Sequence, residues 1–356
     1  MAGRGKGEAP DADGGLARHT PVLLRQVLDV LRPVAGGRYI DCTFGAGGYA
    51  SAILDAADCQ VLALDRDPRA VADGQALAGH YGGRLKLAQA RFAELAAIAE
   101  AAGFVPADGV VFDLGVSSMQ LDEAERGFSF LRDGPLDMRM SGEGPSAADV
   151  VNRCDEKDLA EILFILGEEK RSRAIARAIV RSRELQTISR TLELAELIAG
   201  VLGRRHDDAK HPATRSFQAL RLFVNDELGE LVLGLEAAER VLRPGGVLAV
   251  VTFHSLEDRI VKSFLAERSG GLGRPSRHLP DAGAPTPPSF AALTRKAIEP
   301  DSREIAANPR ARSAHLRAGQ RLAAAPWPVD PALLGLPHLR AGRIRERGYR
   351  SFTNPC

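Results

Sequence analysis

The sequence predicts an α/β fold in which a mostly parallel sheet is interrupted by an inserted α-helical domain. Three observations lead there. Between residues 38 and 113 short apolar segments alternate with helical patterns, the rhythm of parallel βαβ units, whose strands need a crossover between them. Three of those segments end in an acid: Asp41, Asp65 and Asp113. After Asp113 the rhythm breaks, and it returns at Pro244-Gly245-Gly246 followed by the almost wholly apolar Val247–Phe253, a strand suited to the middle of a sheet. One helical insertion at 123–212, between sheet-forming halves at 19–122 and 213–321, accounts for both the break and the return.

In chain order, residues 1–18 are rich in Gly, Ala and Asp and read as a disordered tail. Val22, Leu23, Val27 and Val30 or Leu31 recur at helical spacing, and Pro33 with Gly36-Gly37 ends that helix. A strand through Tyr39-Ile40-Asp41 runs into the glycine-rich Cys42–Gly48, and a helix from about Tyr49 carries Ala50, Ile53 and Leu54. Val61–Leu64 then forms a strand ending in Asp65. A helix from about Pro68 to His80 leads to the apolar Leu85-Lys86-Leu87, and another from about Phe92 to Ala102 precedes Gly109–Phe112. Residues 114–146 are rich in Gly, Ser, Asp and Met without periodicity; a helical block follows from about Glu156 to Leu202.

Within that block Lys170, Arg173, Arg177 and Arg181 form one basic stripe, with Ile175 and Ile179 on another side. A solvated helix face is the simpler reading and an RNA-phosphate contact the alternative. Thr214 is placed to cap a long helix with the apolar stripe Phe217, Leu220, Val224, Leu228 and Leu231. Beyond about Arg321 the chain is rich in Pro and Arg, and 322–356 reads as a loose tail.

Composition narrows the function. The hydrophobic share of 45% and charged share of 26% are ordinary for a soluble globular protein. A net charge of +1 predicts no chain-wide attraction to polyanions, so any basic surface is local. Seven of the 47 basic residues are lysines, leaving 40 arginines. Arginine suits phosphate contacts, although a GC-rich genome is the simpler cause of the bias. Cys42, Cys59, Cys154 and Cys356 form no Cys-x-x-Cys pair, which argues against a zinc site or a disulfide framework, and no metal is expected. No apolar run reaches membrane-spanning length and residues 1–18 hold no hydrophobic signal core. A cytoplasmic protein with no membrane partner is the expectation.

The glycine loop implies a nucleotide-type cofactor. Gly45-x-Gly47-x-x-Ala50 fits the dinucleotide fingerprint, and Asp65 lies where a ribose-binding acid belongs. Sites for NAD, FAD and S-adenosylmethionine share this device, so an NAD(P)-dependent oxidoreductase stays open on the loop alone. Three features favour S-adenosylmethionine and a Rossmann-like methyltransferase fold. Asp41 leads Gly45 by four residues and resembles the Asp-Pro-Phe-x-Gly-x-Gly loop of amino-group methyltransferases; a carboxylate there suits an ammonium and a sulfonium and would repel a pyrophosphate. Asp113 ends the fourth strand segment, at the sheet edge where open α/β sheets bind ligands. The late order of helix, Pro-Gly-Gly and apolar strand is similar to the second half of such methyltransferases.

The resemblance then becomes specific. His19–Leu24, Asp41–Tyr49, Asp65–Pro68, Phe112–Asp122, Gly127–Phe130, Pro135–Met140, His211–Arg215, Phe253–Arg259 and Asn308–Ala314 resemble, in order, segments of the bacterial ribosomal RNA small subunit methyltransferase H family, also called MraW. The likeness spans roughly residues 19–321 and leaves out both tails. It implies transfer of a methyl group from S-adenosylmethionine to the exocyclic N4 of a cytidine in the decoding region of 16S rRNA, with the small ribosomal subunit as partner. By position it implies cofactor contacts at Gly47, Gly48, Tyr49, Asp65, Phe92, Asp113 and Gln120. Cys42 and Tyr49 stand where relatives often carry Gly and His, which puts the side-chain role of Tyr49 in doubt and leaves its backbone N–H available.

For the chemistry the resemblance implies, the amine needs hydrogen-bond acceptors around N4 and alignment with the methyl group. DNA amino-methyltransferases supply these with an Asp/Ser/Asn-Pro-Pro-Tyr loop after the fourth strand. Here the acid is kept as Asp113 and the Pro-Pro-aromatic element is absent. The catalytic candidates are Asp113 or a carbonyl of Leu114–Val116 as acceptor, Ser117 and Ser118 shaping the pocket, and Asp137 and Arg139 completing it. Tyr49 and Phe92 pack either on the adenine or on the core. His254, after a buried strand, is a general base, an RNA contact or a structural residue. Arg171, Arg173, Arg177, Arg215, Arg310 and Arg312 are candidates for phosphate contacts. A non-catalytic RNA-binding assembly factor is the second rival, and a homodimer is compatible with a sequence that leaves the oligomeric state open.

Overall fold

The computed structural model describes residues 21–203, 211–271 and 286–339. His19, Thr20 and the terminal segments 1–18 and 340–356 lie outside them. Helix α1 (Leu24–Leu31) precedes β1 (Arg38–Asp41), α2 (Gly48–Ala56), β2 (Gln60–Asp65), the short α3 (Pro68–Asp73) and α4 (Gln75–His80), and β3 (Leu85–Gln89). Next come α5 (Leu95–Ala101), β4 (Ala107–Asp113), α6 (Ser118–Asp122), α7 (Ala147–Arg153), α8 (Glu156–Gly167), α9 (Ser172–Leu185) and α10 (Thr191–Leu202). The chain closes with α11 (Thr214–Asn225), α12 (Glu227–Val241), β5 (Leu242–Thr252), α13 (Ser255–Arg268), β6 (Phe290–Ala292), α14 (Ser302–Ala307) and β7 (His315–Arg321). No helix among the described residues is long and apolar enough to cross a membrane.

Among the described residues, seven strands form one sheet in the order β3-β2-β1-β4-β5-β7-β6. Neighbours from β3 to β5 are parallel, whereas β7 runs antiparallel to β5 and to β6. Because β1 pairs with β2 on one side and β4 on the other, successive connections leave β1 in opposite directions, opening a crevice beyond its carboxyl end. Both faces of the central strands are covered, and side chains alternate between them. Val110 and Phe112 of β4, with Leu248 and Val250 of β5, enter one core. Val111, with Val247, Ala249 and Val251, enters the other, under α1 and α2.

The first of these cores continues into the helices between β4 and β5. Leu159, Ile162 and Leu163 of α8, Ile175 and Ile179 of α9, and Phe217 and Leu220 of α11 belong to the same apolar cluster as Ile40 and Leu62. Helix α8 packs along both α9 and α11, so the helical block rests on the sheet domain through continuous apolar packing. On α9 the stripe divides as its periodicity predicts: Ile175 and Ile179 are buried, while Arg173, Arg177 and Arg181 are exposed.

Several expectations are corrected. The helix beginning at Thr214 stops at Asn225, and Asp226, with φ 46°, starts a second helix. Thr214 does not cap it: its hydroxyl donates to the His211 carbonyl at 2.7 Å, and Ala213 occupies the cap. The helix over 68–80 is split at Gly74, where a side chain would collide with the Phe44 ring. The helix expected from Phe92 starts at Leu95, after a 3-10 turn. Residues 322–339 are irregular but not loose. Leu334 is fully buried, and Arg268, paired to Glu239 at 2.9 Å, donates to the Trp327 carbonyl at 2.8 Å and lies over the Trp327 ring at 4.1 Å.

Candidate active site

The crevice is built from the ends of β1, β2 and β4 and the turns that follow them. Gly47, with φ 79°, holds the αL position that lets the chain leave β1 and enter α2; only glycine adopts this readily. A Cβ at Gly48 would run into Pro21, so the loop and the start of α2 lie tight against the segment before α1. No side chain caps α2, and its first N–H groups face the crevice end of β1.

Three carboxyl groups converge there. Asp41 is fully buried; its Oδ1 accepts from the Thr43 N–H at 3.1 Å, the Ala50 N–H of α2 also favours its ionised form, and no described residue gives its Oδ2 a well-formed hydrogen bond. Asp65 receives the Gly45 N–H on Oδ2 and the Asp67 N–H on Oδ1, both at 2.8 Å, which fixes the glycine loop to the turn after β2. Asp113 has its backbone N–H held by Thr43 Oγ1 at 2.7 Å, while its buried Oδ1 has no partner among the described residues.

Burial pushes the Asp41 carboxyl up to about 7, with the charge of Asp65 adding to the rise. Burial, then Asp41 and Glu257, raise Asp113 well above the usual carboxylate range. Burial raises Asp65 as well, against the two N–H bonds it accepts. Clustered acids with unmatched buried oxygens fit a ligand bearing positive charge. S-adenosylmethionine, with an ammonium and a sulfonium, meets that requirement; a dinucleotide pyrophosphate does not.

Next to these acids opens a cleft of about 460 Å³ lined by Thr43, Arg66, Arg91, Phe92, Leu114, Gly115, Met140, Glu227, Glu230, Leu231 and Glu257. Phe92, Leu114, Met140 and Leu231 give it an apolar wall suited to a flat heterocycle, and five charged side chains, Arg66, Arg91, Glu227, Glu230 and Glu257, line the rest. Phe92 stands in this wall, edge-on to Phe112 with ring centroids 5.1 Å apart. Of the two aromatic candidates it alone faces the cleft. Tyr49 is buried in the core under α1 and donates its hydroxyl to the Val22 carbonyl, so its side chain serves packing.

The loop after β4 is organised by its own hydrogen bonds. Ser117 Oγ accepts the Gln120 N–H at 3.2 Å and Gln120 Oε1 accepts the Ser117 N–H at 3.1 Å, a capping box on α6. The Gln120 Nε2 donates to Asp67 at 3.0 Å, so both ends of its amide are engaged within the protein. Ser118 accepts from Arg310 at 3.0 Å, and Arg310 also pairs with Asp122 at 3.2 Å. Asp137 and Arg139 grip each other through two 2.7 Å contacts and do not line the cleft. That ion pair holds the Asp137 carboxyl below its ordinary value against the opposing effect of burial. Their segment reaches the cleft through Met140.

Sequence reasoning left several members of the site without a role. Arg126, nearly buried, pairs with Asp67 at 2.7 Å and donates to the Met140 carbonyl at 3.0 Å. Asn225 receives the Met140 N–H at 2.9 Å, donates to the Met138 carbonyl at 2.7 Å, and accepts from Arg66 on its own carbonyl at 2.7 Å. The turn Asp65-Arg66-Asp67 is thereby tied twice to residues 138–140. Glu257 is buried in the first turn of α13, just past the end of β5; the spacing His254-x-x-Glu257 behind an apolar strand is a capping-box signal that points to it. Among the candidate arginines, Arg215 donates to the Glu168 carbonyl at 3.3 Å and Arg177 lies 3.6 Å from Glu156.

Known proteins match the chain along most of its length. The family model of the MraW methylases matches residues 16–322. Ribosomal RNA small subunit methyltransferase H of Parvibaculum lavamentivorans is 59% identical over 317 residues, covering 89% of this chain and 93% of that protein. The protein of the same name from Azorhizobium caulinodans is 56% identical over 348 residues, covering 98% of this chain and 99% of its own length. A seven-stranded sheet with its acids gathered at the β1–β4 crevice, and a match along nearly the whole chain, lead to one conclusion: the chain belongs to the MraW methylase family.

Proposed function

We propose that the chain is an S-adenosylmethionine-dependent methyltransferase acting on the exocyclic N4 of one cytidine in the decoding region of 16S rRNA. The observation that carries this reading is Asp113: its backbone is fixed by Thr43 and its Oδ1, with no partner among the described residues, lies at the end of β4, beside a cleft wall begun by Leu114 and Gly115. An NAD(P) oxidoreductase is disfavoured because a pyrophosphate would oppose the ionisation of Asp41 and Asp113, whereas a cationic cofactor favours it.

When bound, S-adenosylmethionine supplies an electrophilic methyl group. The chain's residues do the rest. Asp65, Gly47, Gly48 and the Tyr49 N–H frame the cofactor, and Phe92 packs on its base. Asp113 accepts hydrogen from the amine, drawing the N4 lone pair out of conjugation with the ring. Ser117 and Gln120 hold α6 and, through Asp67, the turn behind the ribose acid. Ser118, Asp137 and Arg139 brace the pocket from outside the cleft wall, and the target base leaves its stack to reach the methyl group. Incubating small subunits that lack the modification with labelled S-adenosylmethionine tests the reading: one N4-methylcytidine per 16S molecule is expected. Cofactor binding with no label in RNA would instead favour a non-catalytic assembly factor.

Residues 123–212 form the substrate-recognition unit in this reading, and the exposed arginines of α9 contact phosphate. Charge reversal at Arg173 and Arg177 together is expected to weaken RNA binding and reduce the salt dependence of log K by about two counterions. An unchanged slope in a filter-binding titration identifies the stripe as a plain solvated face. A cytoplasmic location completes the proposal; light scattering on the purified chain reads the oligomeric state, which the sequence leaves open.

A further inference from the structure

Glu257 is a buried carboxylate in the cleft wall that the reaction as described leaves unused. Its Oε2 accepts the N–H groups of Phe253 at 2.8 Å and His254 at 3.3 Å, and its Oε1 lies 2.9 Å from His254 Nε2. The Glu257 N–H in turn donates to His254 Nδ1 at 3.4 Å, which closes the cap of α13. Oε2 is held by two N–H groups and Oε1 faces the His254 imidazole, so the carboxylate is turned toward its own cap. Its place is nevertheless specific. Asp113 pairs with Val251, and the Leu114 N–H bonds the Val251 carbonyl at 2.9 Å, so the tips of β4 and β5 lie side by side.

Resting on the methyl-transfer reading above, we propose that the His254–Glu257 pair is a positioning device for Asp113. It fixes an ionised carboxylate just past the end of β5, so that Asp113 takes the proton released from N4. In that step the nitrogen bonds the methyl carbon while the carbon–sulfur bond breaks with its electron pair on sulfur. One N4 proton passes to an Asp113 oxygen. A negative neighbour already engaged by the N–H groups of Phe253 and His254 makes Asp113 a better proton acceptor. The charged and titratable groups facing Asp113 are Asp41 from β1, Tyr49 from α2 and Glu257 from α13, and those facing Glu257 are His254 and Arg221. Burial raises the Glu257 carboxyl, but His254, Arg221 and the Phe253 N–H outweigh it and hold the group below its ordinary value; it is therefore charged where Asp113 is not.

The test is the pH profile of single-turnover methyl transfer to small subunits, in wild type and Glu257→Gln, with cofactor affinity measured alongside. The wild-type rate should rise with pH to a plateau. In E257Q the midpoint of that rise should fall by about one pH unit and the plateau by about tenfold, as expected for a weaker acceptor. His254→Asn, which keeps a capping side chain and withdraws the imidazole from Oε1, should move the midpoint in the same direction by less. It decides the matter if E257Q does not fold. A wild-type midpoint in the variant that folds overturns the proposal. An inactive wild type overturns the methyl-transfer reading instead, so the two failures are distinguishable.

Discussion

Asp113→Ala is expected to lower methyl transfer by about a thousandfold, the range for losing a positioned proton acceptor, while leaving the scaffold of the site in place. The scaffold survives because Thr43 holds the backbone N–H of residue 113 and not its side chain. The same substitution should not destabilise the cofactor-free protein at neutral pH. The carboxyl of Asp113 is raised by burial and by Asp41 and Glu257. An acid whose folded-state value lies above its unfolded value contributes fully below the unfolded value and loses that contribution as pH rises toward the folded one. At neutral pH wild-type Asp113 is therefore a net cost to folding, and D113A should melt at the same temperature or higher. Assays of turnover, cofactor affinity and thermal unfolding separate the three effects. Near-normal turnover would remove Asp113 from the mechanism.

Asp41 is expected to make cofactor binding pH-dependent. Its carboxyl, pushed up to about 7 by burial and by Asp65, is largely protonated below that pH in the free protein. A cationic ligand favours the ionised form, so binding at lower pH must release a proton. Affinity for S-adenosylmethionine should therefore rise up to about tenfold per pH unit below 7 and level off above it. Calorimetry in two buffers of different ionisation enthalpy reads the released proton directly. Asp41→Asn should bind more weakly at pH 8 and lose the Asp41 part of the dependence. Affinity that stays flat from pH 5.5 to 8 would exclude Asp41 as a partner of positive charge.

The parts of the molecule that could be read from the sequence are those in which one residue type has one physical reason to stand where it does. Apolar segments ending in Asp41, Asp65 and Asp113 with helices between them allow few arrangements other than a parallel sheet with its acids at one edge, and these three do meet at the crevice. The break at Asp226 was hidden because the apolar stripe crosses it intact: Phe217, Leu220 and Val224 on α11 and Leu228 and Leu231 on α12 are all buried. Strand β7 was missed because it carries arginines. Arg317 pairs with Asp258 at 2.7 Å, and Arg321 is buried by donating to the carbonyls of Glu239 and Ser289. The irregular stretch 114–146 was least legible, since Ser117, Gln120, Asp137 and Arg139 spend their polar atoms on one another or on the Asp67 turn. No spacing rule distinguishes such internal partners from groups aimed at a substrate.

The same limit explains why Glu257, Asn225 and Arg126 went without a role. Each acts on elements far away in sequence, as when Asn225 holds Met138 and Met140 across more than eighty residues. The acids at strand ends announce a cationic cofactor. The arrangement that selects the acceptor base is written in tertiary hydrogen bonds.

Methyl transfer to N4 of one decoding-region cytidine can be read from mass spectra of nuclease fragments of 16S rRNA from a strain lacking this gene. Loss of a single N4-methyl group on one cytidine is expected, restored by the wild-type chain and not by Asp113→Ala. A methylation map identical to that of the parent strain would contradict it.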